Sequence, residues 1–149
     1  SESRGLGDVY KRQAASKAFG SLVPWLSVDT GVRTRALYHA DPETGELVHD
    51  PLLHHKVSAG FGTELVSREG EIAIKAKELT DSIQLLMTHG SEDHICSPEK
   101  SRELFESLPM KTKRYVSVEG SYHEPLHDLK ADWLIAQAGR WLDEIGITA

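Results

Sequence analysis

The sequence predicts an α/β fold in which parallel strands are covered by helices. Two observations in the 149-residue chain support this class. Between about residues 82 and 145, short apolar runs alternate with longer segments of helical periodicity, and strands that alternate with helices pair in parallel. Each apolar run is also followed at once by a loop that contains glycine and a titratable side chain. Sites in parallel sheets lie at the carboxyl ends of strands, where both loops fall.

The first 62 residues carry weaker signals than the rest of the chain. Residues 8–13, Asp-Val-Tyr-Lys-Arg-Gln, resemble the translation of a sequencing-library adaptor, so residues 1–13 are expected to be an artefactual or disordered tail. An apolar cluster between Phe19 and Leu26 follows, and it fits either a packed core segment or a lipid-facing lid. Residues 14–62 are set apart from the α/β segment at residues 63–149 as the remnant of a cap or lid region, an interpretation that depends on the family resemblance given below.

Five regular elements are predicted within residues 63–149. A helix spans about 63–79, and a strand follows at about 82–88. The apolar residues that define this helix recur on one face: Leu65, Ile72, Ala76 and Leu79. Ser97 and Pro98 start the next helix, because serine caps a helix and proline suits its first position. A half-buried strand at 113–118 and a last helix at about 129–145 complete a βαβα order.

Composition excludes several classes of function. The net charge is −6 and no lysine or arginine stripe is present, so a nucleic-acid partner held through phosphates is not expected. No apolar run approaches the length of a membrane span. Cys96 is the single cysteine, which excludes an internal disulfide and fits a reducing compartment. We expect Cys96 to be a small buried apolar residue rather than a nucleophile.

Asp93 and His123 are the candidate catalytic residues. Asp93 lies in the loop Gly-Ser-Glu-Asp after the first strand, and His123 lies in Glu-Gly-Ser-Tyr-His after the second. An acid followed by a base, with a helix between them, is the order in which an α/β-hydrolase ends. A serine hydrolase also needs a nucleophile on Gly-x-Ser-x-Gly, and no such string occurs in the 149 residues.

One further motif bears on metal binding. Residues 123–127, His-Glu-Pro-Leu-His, match the H-E-x-x-H pattern of zinc peptidases. That pattern needs both histidines on one helix, and Pro125 disfavours a helix there, so the match is interpreted as chance. His39, His54 and His55 are expected to be solvated, and His89 is expected to be structural. No metal or cofactor is expected.

Three segments resemble monoacylglycerol lipases and related α/β-hydrolases of the serine aminopeptidase group. Residues 85–98 resemble the acid loop of that family, residues 118–124 its histidine loop, and residues 49–57 a segment between its cap and the helix before the acid strand. The likeness covers roughly residues 37–145. It implies the C-terminal portion of an α/β-hydrolase fold plus part of the cap region, with Asp93 as the triad acid and His123 as the base.

The resemblance also implies the function of a serine ester hydrolase that acts in the cytoplasm or at the periphery of a membrane. The implied substrates are small lipid esters, either monoacylglycerols or lysophospholipids. Because no residue matches the nucleophile, the chain is expected to be a C-terminal fragment that is inactive alone. One alternative is a non-catalytic α/β-hydrolase-like interaction domain, and a zinc peptidase that uses His123 and His127 is a more distant one.

Overall fold

The computed structural model describes residues 22–47 and 50–147. The expected tail at residues 1–13 and the first part of the apolar cluster at residues 19–26 lie outside the described residues. The chain forms two compact units. One comprises the residues up to Gly31 together with Leu52–Lys75, and the other comprises Val32–Pro51 together with Ala76–Ala149.

The first unit contains a short antiparallel pair of strands and one helix. Strand β1 (Ser27–Asp29) pairs in antiparallel fashion with β2 (Lys56–Ser58), and helix α1 (Ala59–Ala76) follows at once. This helix begins four residues before the predicted start, because the hydroxyl of Ser58 accepts the N–H of Phe61 and caps it. The apolar face that the sequence shows is not buried, since Leu65 and Ile72 are 59% and 57% exposed.

The second unit holds the parallel sheet. A 3₁₀ turn (Thr34–Ala36) is followed by strand β3 (Leu85–Gly90), helix α2 (Pro98–Ser107), strand β4 (Lys113–Val118) and helix α3 (Ala131–Glu144). Strands β3 and β4 pair in parallel, with Gly90 opposite Val118, which confirms the predicted arrangement. Strand β3 begins later than the predicted residue 82, because residues 81 and 82 form a turn.

Local signals define helix α2 as the sequence predicts. The hydroxyl of Ser97 accepts the N–H of Lys100 at 3.1 Å, and Pro98 occupies the first helical position. The helix ends at Ser107, where the N–H of Leu108 binds the carbonyl of Phe105, and Pro109 follows. The sequence therefore fixes both ends of the helix that separates β3 from β4.

Helix α3 is the last element of the second unit. It begins two residues later than predicted, because the carbonyl and the carboxylate of Asp128 bind Ala131 N–H and Leu129 N–H and form a turn before it. Its residues Leu134 and Trp141, which lie seven positions apart on one face, are 2% and 7% exposed. Val118, the last residue of β4, is fully buried, so packing holds the start of the loop that follows. No helix among the described residues has the length and apolarity that crossing a bilayer requires.

Candidate active site

The loop after β3 folds around the carboxylate of Asp93. Oδ1 of Asp93 accepts the N–H of Ile95 at 2.7 Å and that of Cys96 at 3.0 Å, so the chain turns back over the side chain. The N–H of Asp93 itself binds the carbonyl of Gly90. The side chain is 2% exposed. The loop that contains Asp93 therefore holds its carboxylate through backbone hydrogen bonds, independently of contacts from other elements.

The loop after β4 is bound to the Asp93 loop. Gly120 has φ +75°, a conformation that glycine adopts without strain, and its N–H donates to the hydroxyl of Ser91 at 2.8 Å. The N–H of Glu92 donates to the carbonyl of Ser121 at 3.0 Å. These two bonds run in opposite directions between the loops. They hold the two loops together at the carboxyl edge of the β3–β4 pair.

This arrangement brings Asp93 and His123 together. Nδ1 of His123 lies 2.8 Å from Oδ2 of Asp93, although the residues are 30 positions apart in the chain. The ring of His123 is 34% exposed. An imidazole that donates from Nδ1 to a carboxylate presents Nε2 as an available base, and the carboxylate stabilises the imidazolium that forms when Nε2 takes a proton. The pair thus has the geometry of an acid-supported general base.

A second imidazole contacts the same carboxylate. Nε2 of His89 lies 3.1 Å from Oδ2 of Asp93 and 3.3 Å from the carbonyl oxygen of Cys96. Burial acts to raise the pKa of Asp93. The N–H of Cys96, the His123 ring and the N–H of Ile95 outweigh it and hold that pKa below its usual value. Asp93 is therefore ionised at neutral pH. His89, which the sequence indicates is structural, lies beside this carboxylate and binds the carbonyl of Cys96.

The protein should lose stability in acid. Asp93 and Asp128 both have folded-state pKa values below the ordinary 3.8, so the stability they contribute is present above that pH and is lost as pH falls through the lower folded values. We expect the free energy of unfolding, measured with urea, to decline as pH falls below about 3.8. Asp93→Asn should make this decline shallower. A free energy that stays level through this range in the unmodified chain would contradict the expectation.

Two features of the site differ from the sequence expectations. Cys96 is exposed rather than buried, because the turn around Asp93 places residues 94–97 at the surface. His39 is not simply solvated, because its Nδ1 binds the buried carboxylate of Asp128 at 2.7 Å. No motif marks this second pair, since its members lie 89 positions apart.

The structure also bears on metal binding. Among the described residues, Asp93, Cys96 and His123 each offer a ligand atom, and these atoms lie within 4.8 Å of one another. Two of them are already joined by the 2.8 Å hydrogen bond, which a cation would have to displace. Residues 123–127 do not form a helix, and His127 instead contacts Glu124. The zinc-peptidase pattern therefore lacks the helical spacing that it requires.

Comparison with known proteins gives a consistent result. Residues 8–130 match the family described as serine aminopeptidase, S33. The crystal structure of a monoacylglycerol lipase from Paleococcus ferrophilus superposes with a TM-score of 0.75 at 27% identity and covers 89% of this chain. A soluble variant of monoglyceride lipase from Saccharomyces cerevisiae, solved with a substrate analogue, gives a TM-score of 0.65 at 19% identity over 90% of this chain. The latter likeness supports the fold alone.

The chain spans only part of each relative. It covers 51% of the archaeal lipase chain and 49% of the yeast lipase chain. An uncharacterized abhydrolase domain-containing protein of Dictyostelium discoideum is 21% identical over 126 residues, which are 84% of this chain and 13% of that protein. The parallel strands and helices are thus a portion of the α/β-hydrolase fold, and this chain belongs to the serine aminopeptidase (S33) family of α/β-hydrolases.

Proposed function

We propose that this chain is the C-terminal portion of a serine ester hydrolase that acts on monoacylglycerols or lysophospholipids. Asp93 is the triad acid and His123 is the triad base. The observation that carries the proposal is the 2.8 Å bond between Nδ1 of His123 and Oδ2 of Asp93, at the carboxyl ends of two parallel strands. In a member of this family, that is where a triad acid and base are expected.

Each residue has a defined part in the reaction. A serine from a Gly-x-Ser-x-Gly elbow, which the 149 residues do not contain, attacks the ester carbonyl while Nε2 of His123 takes its proton. The tetrahedral intermediate collapses, and the departing alcohol receives that proton from the imidazolium. Water then hydrolyses the acyl-serine by the same route, with His123 again as base. Asp93 keeps Nδ1 protonated and stabilises the positive ring throughout.

The substrate class is supported by the archaeal relative, which is 27% identical and is a monoacylglycerol lipase, whereas the family description names an aminopeptidase. In the proposed protein, residues 14–62 belong to the cap region, residues 63–149 supply the last βαβα part of the hydrolase domain, and the cap contacts a membrane surface peripherally. The substrate would then enter from lipid rather than from solution.

Substrate assays of the longer protein that this proposal implies would test it. We expect it to release fatty acid from a monoacylglycerol or a lysophospholipid, and we expect His123→Ala to abolish that release. An aminoacyl amide is the comparison substrate and should be cleaved far more slowly. Cleavage of the amide without cleavage of either ester would contradict the proposed substrate class.

A second candidate is a non-catalytic interaction domain with the same fold. The observation that favours it is the absence of Gly-x-Ser-x-Gly from these 149 residues. The coding sequence upstream of residue 1 separates the two candidates. A Gly-x-Ser-x-Gly string upstream in the same frame supports the hydrolase, and an in-frame start near residue 14 supports the interaction domain.

A further inference from the structure

A second histidine–aspartate pair lies beside the first. The carboxylate of Asp128 is fully buried, and its Oδ1 lies 2.7 Å from Nδ1 of His39, whose ring is 28% exposed. The two residues lie within one compact unit, together with Asp93 and His123. The proposed reaction uses neither His39 nor Asp128. A buried charge is costly unless it is hydrogen-bonded, so the groups that bind Asp128 are the ones that compensate this cost.

The other bonds of Asp128 show what it holds. Its Oδ2 accepts the N–H of Tyr122 at 2.8 Å, and its Oδ1 accepts the N–H of Leu129 at 2.8 Å and of His39 at 3.1 Å. Burial acts to raise the pKa of Asp128. These backbone N–H groups and the His39 ring outweigh it and hold the pKa below its usual value. Asp128 therefore carries a charge that draws both Tyr122 and His39 toward it.

Two hydrogen bonds fix the backbone on the two sides of His123, one to Asp128 and one to Leu37. The residue before it, Tyr122, donates its N–H to Asp128, and the residue after it, Glu124, donates its N–H to the carbonyl of Leu37 at 2.8 Å. The ring of Tyr122 also stacks on the ring of His39, with centroids 3.8 Å apart and planes 25° apart. Residues 121–130 form no helix or strand that could hold the loop instead.

We propose that Asp128 and His39 are positioning residues, which clamp Tyr122 directly before His123, while the carbonyl of Leu37 holds Glu124 directly after it, so that Nδ1 of His123 meets Asp93. The catalytic meaning of this inference rests on the proposed function, whereas the hydrogen bonds of the clamp are present in the 149-residue chain. Asp128 also binds Leu129 N–H, and its carbonyl binds Ala131 N–H at the start of α3. A purely structural role at the helix start is therefore the alternative that an experiment must separate.

The tautomer of His123 is the readout that separates the two roles. In the unmodified 149-residue chain, nitrogen NMR of the imidazole should show His123 with the proton on Nδ1. In Asp128→Asn, one acceptor oxygen becomes an NH₂ donor that cannot accept from Tyr122 or His39. We expect the ratio of the Nδ1–H to the Nε2–H form to fall about tenfold, as one charge-assisted hydrogen bond weakens. An unchanged ratio in a variant of lowered stability would overturn the proposal.

A second variant covers the case in which Asp128→Asn does not fold. His39→Phe keeps a flat ring on Tyr122 but removes the nitrogen that binds Asp128. We expect a smaller shift of the His123 tautomer ratio in the same direction, and an unchanged ratio would again overturn the proposal. His54→Phe, which alters a histidine of the other unit, should leave the ratio unchanged.

The outcomes distinguish this inference from the proposed function. If His123 of the unmodified chain lacks the Nδ1–H form, it does not donate a hydrogen bond from Nδ1 to Asp93. That result would contradict the hydrolase proposal as well. If that form is present and the clamp variants shift it, the clamp stands whether or not the longer protein cleaves esters. In a longer protein that does, Asp128→Asn should lower kcat far more than it changes KM, and the reverse split would count against positioning.

Discussion

Among the glycines that the structure describes, Gly90 is the one at which replacement by alanine is expected to be most damaging. A Cβ at this position would lie 1.9 Å from the carbonyl oxygen of Tyr122 and 2.4 Å from that of Ser121. Both contacts are backbone atoms, so no side chain can rotate away, and the two loops of the site would have to separate. Forcing extra atoms into a packed region typically costs about 1–3 kcal/mol, and this contact should reach or exceed the upper end.

Urea unfolding measures this effect, and Gly139→Ala is its matched control. Gly139 lies in α3 with no atom within 4 Å of an added Cβ, so alanine there should stabilise the chain by roughly 0.5–1 kcal/mol. The same chemical change is thus expected to act in opposite directions at the two positions. Gly90→Ala with a free energy of unfolding within about 0.5 kcal/mol of the unmodified chain would show that the loops do not approach as closely as described.

Replacement of Asp93 by asparagine should have the largest effect on the proposed chemistry. The asparagine oxygen can still accept the N–H groups of Ile95 and Cys96, so the loop keeps its turn. Its NH₂ group then faces Nδ1 of His123 and favours the tautomer with the proton on Nε2, which cannot act as a base. By analogy with the serine-protease triad, turnover of the longer protein should fall by about 10⁴-fold.

Ester hydrolysis by the longer protein provides the measurement, and Asp81→Asn provides the control. Asp81 forms an exposed ion pair with Lys111, so its replacement should leave turnover within a small factor of the unmodified value. Turnover of Asp93→Asn near the unmodified value would show that Asp93 is not the triad acid.

The parts of the fold that local chemistry determines could be predicted from the sequence. Helix α2 begins at Pro98 because Ser97 caps it, and strand β4 spans 113–118 as its alternation predicts. The parallel pairing of β3 with β4 follows from the helix between them. The approach of Asp93 to His123 follows in turn, since both residues stand directly after neighbouring parallel strands.

The remaining features depend on contacts that no local pattern encodes. Strands β1 and β2 have three residues each, which is too short for a period-two pattern to distinguish a strand from a loop. The bond between His39 and Asp128 joins segments 89 positions apart, and neither residue lies in a recognisable motif. Cys96 was expected to be buried by residue type, but its exposure is set by the turn around Asp93.

Labelling by a fluorophosphonate probe tests most directly whether this chain carries the acid and base of a serine hydrolase without its nucleophile. Such probes react with a serine that a neighbouring base has activated. We expect no serine of the purified 149-residue chain to be labelled. We expect the longer protein to be labelled at the serine of Gly-x-Ser-x-Gly, and His123→Ala to abolish that labelling. A labelled serine within these 149 residues, or full labelling of the His123→Ala protein, would contradict the assignment.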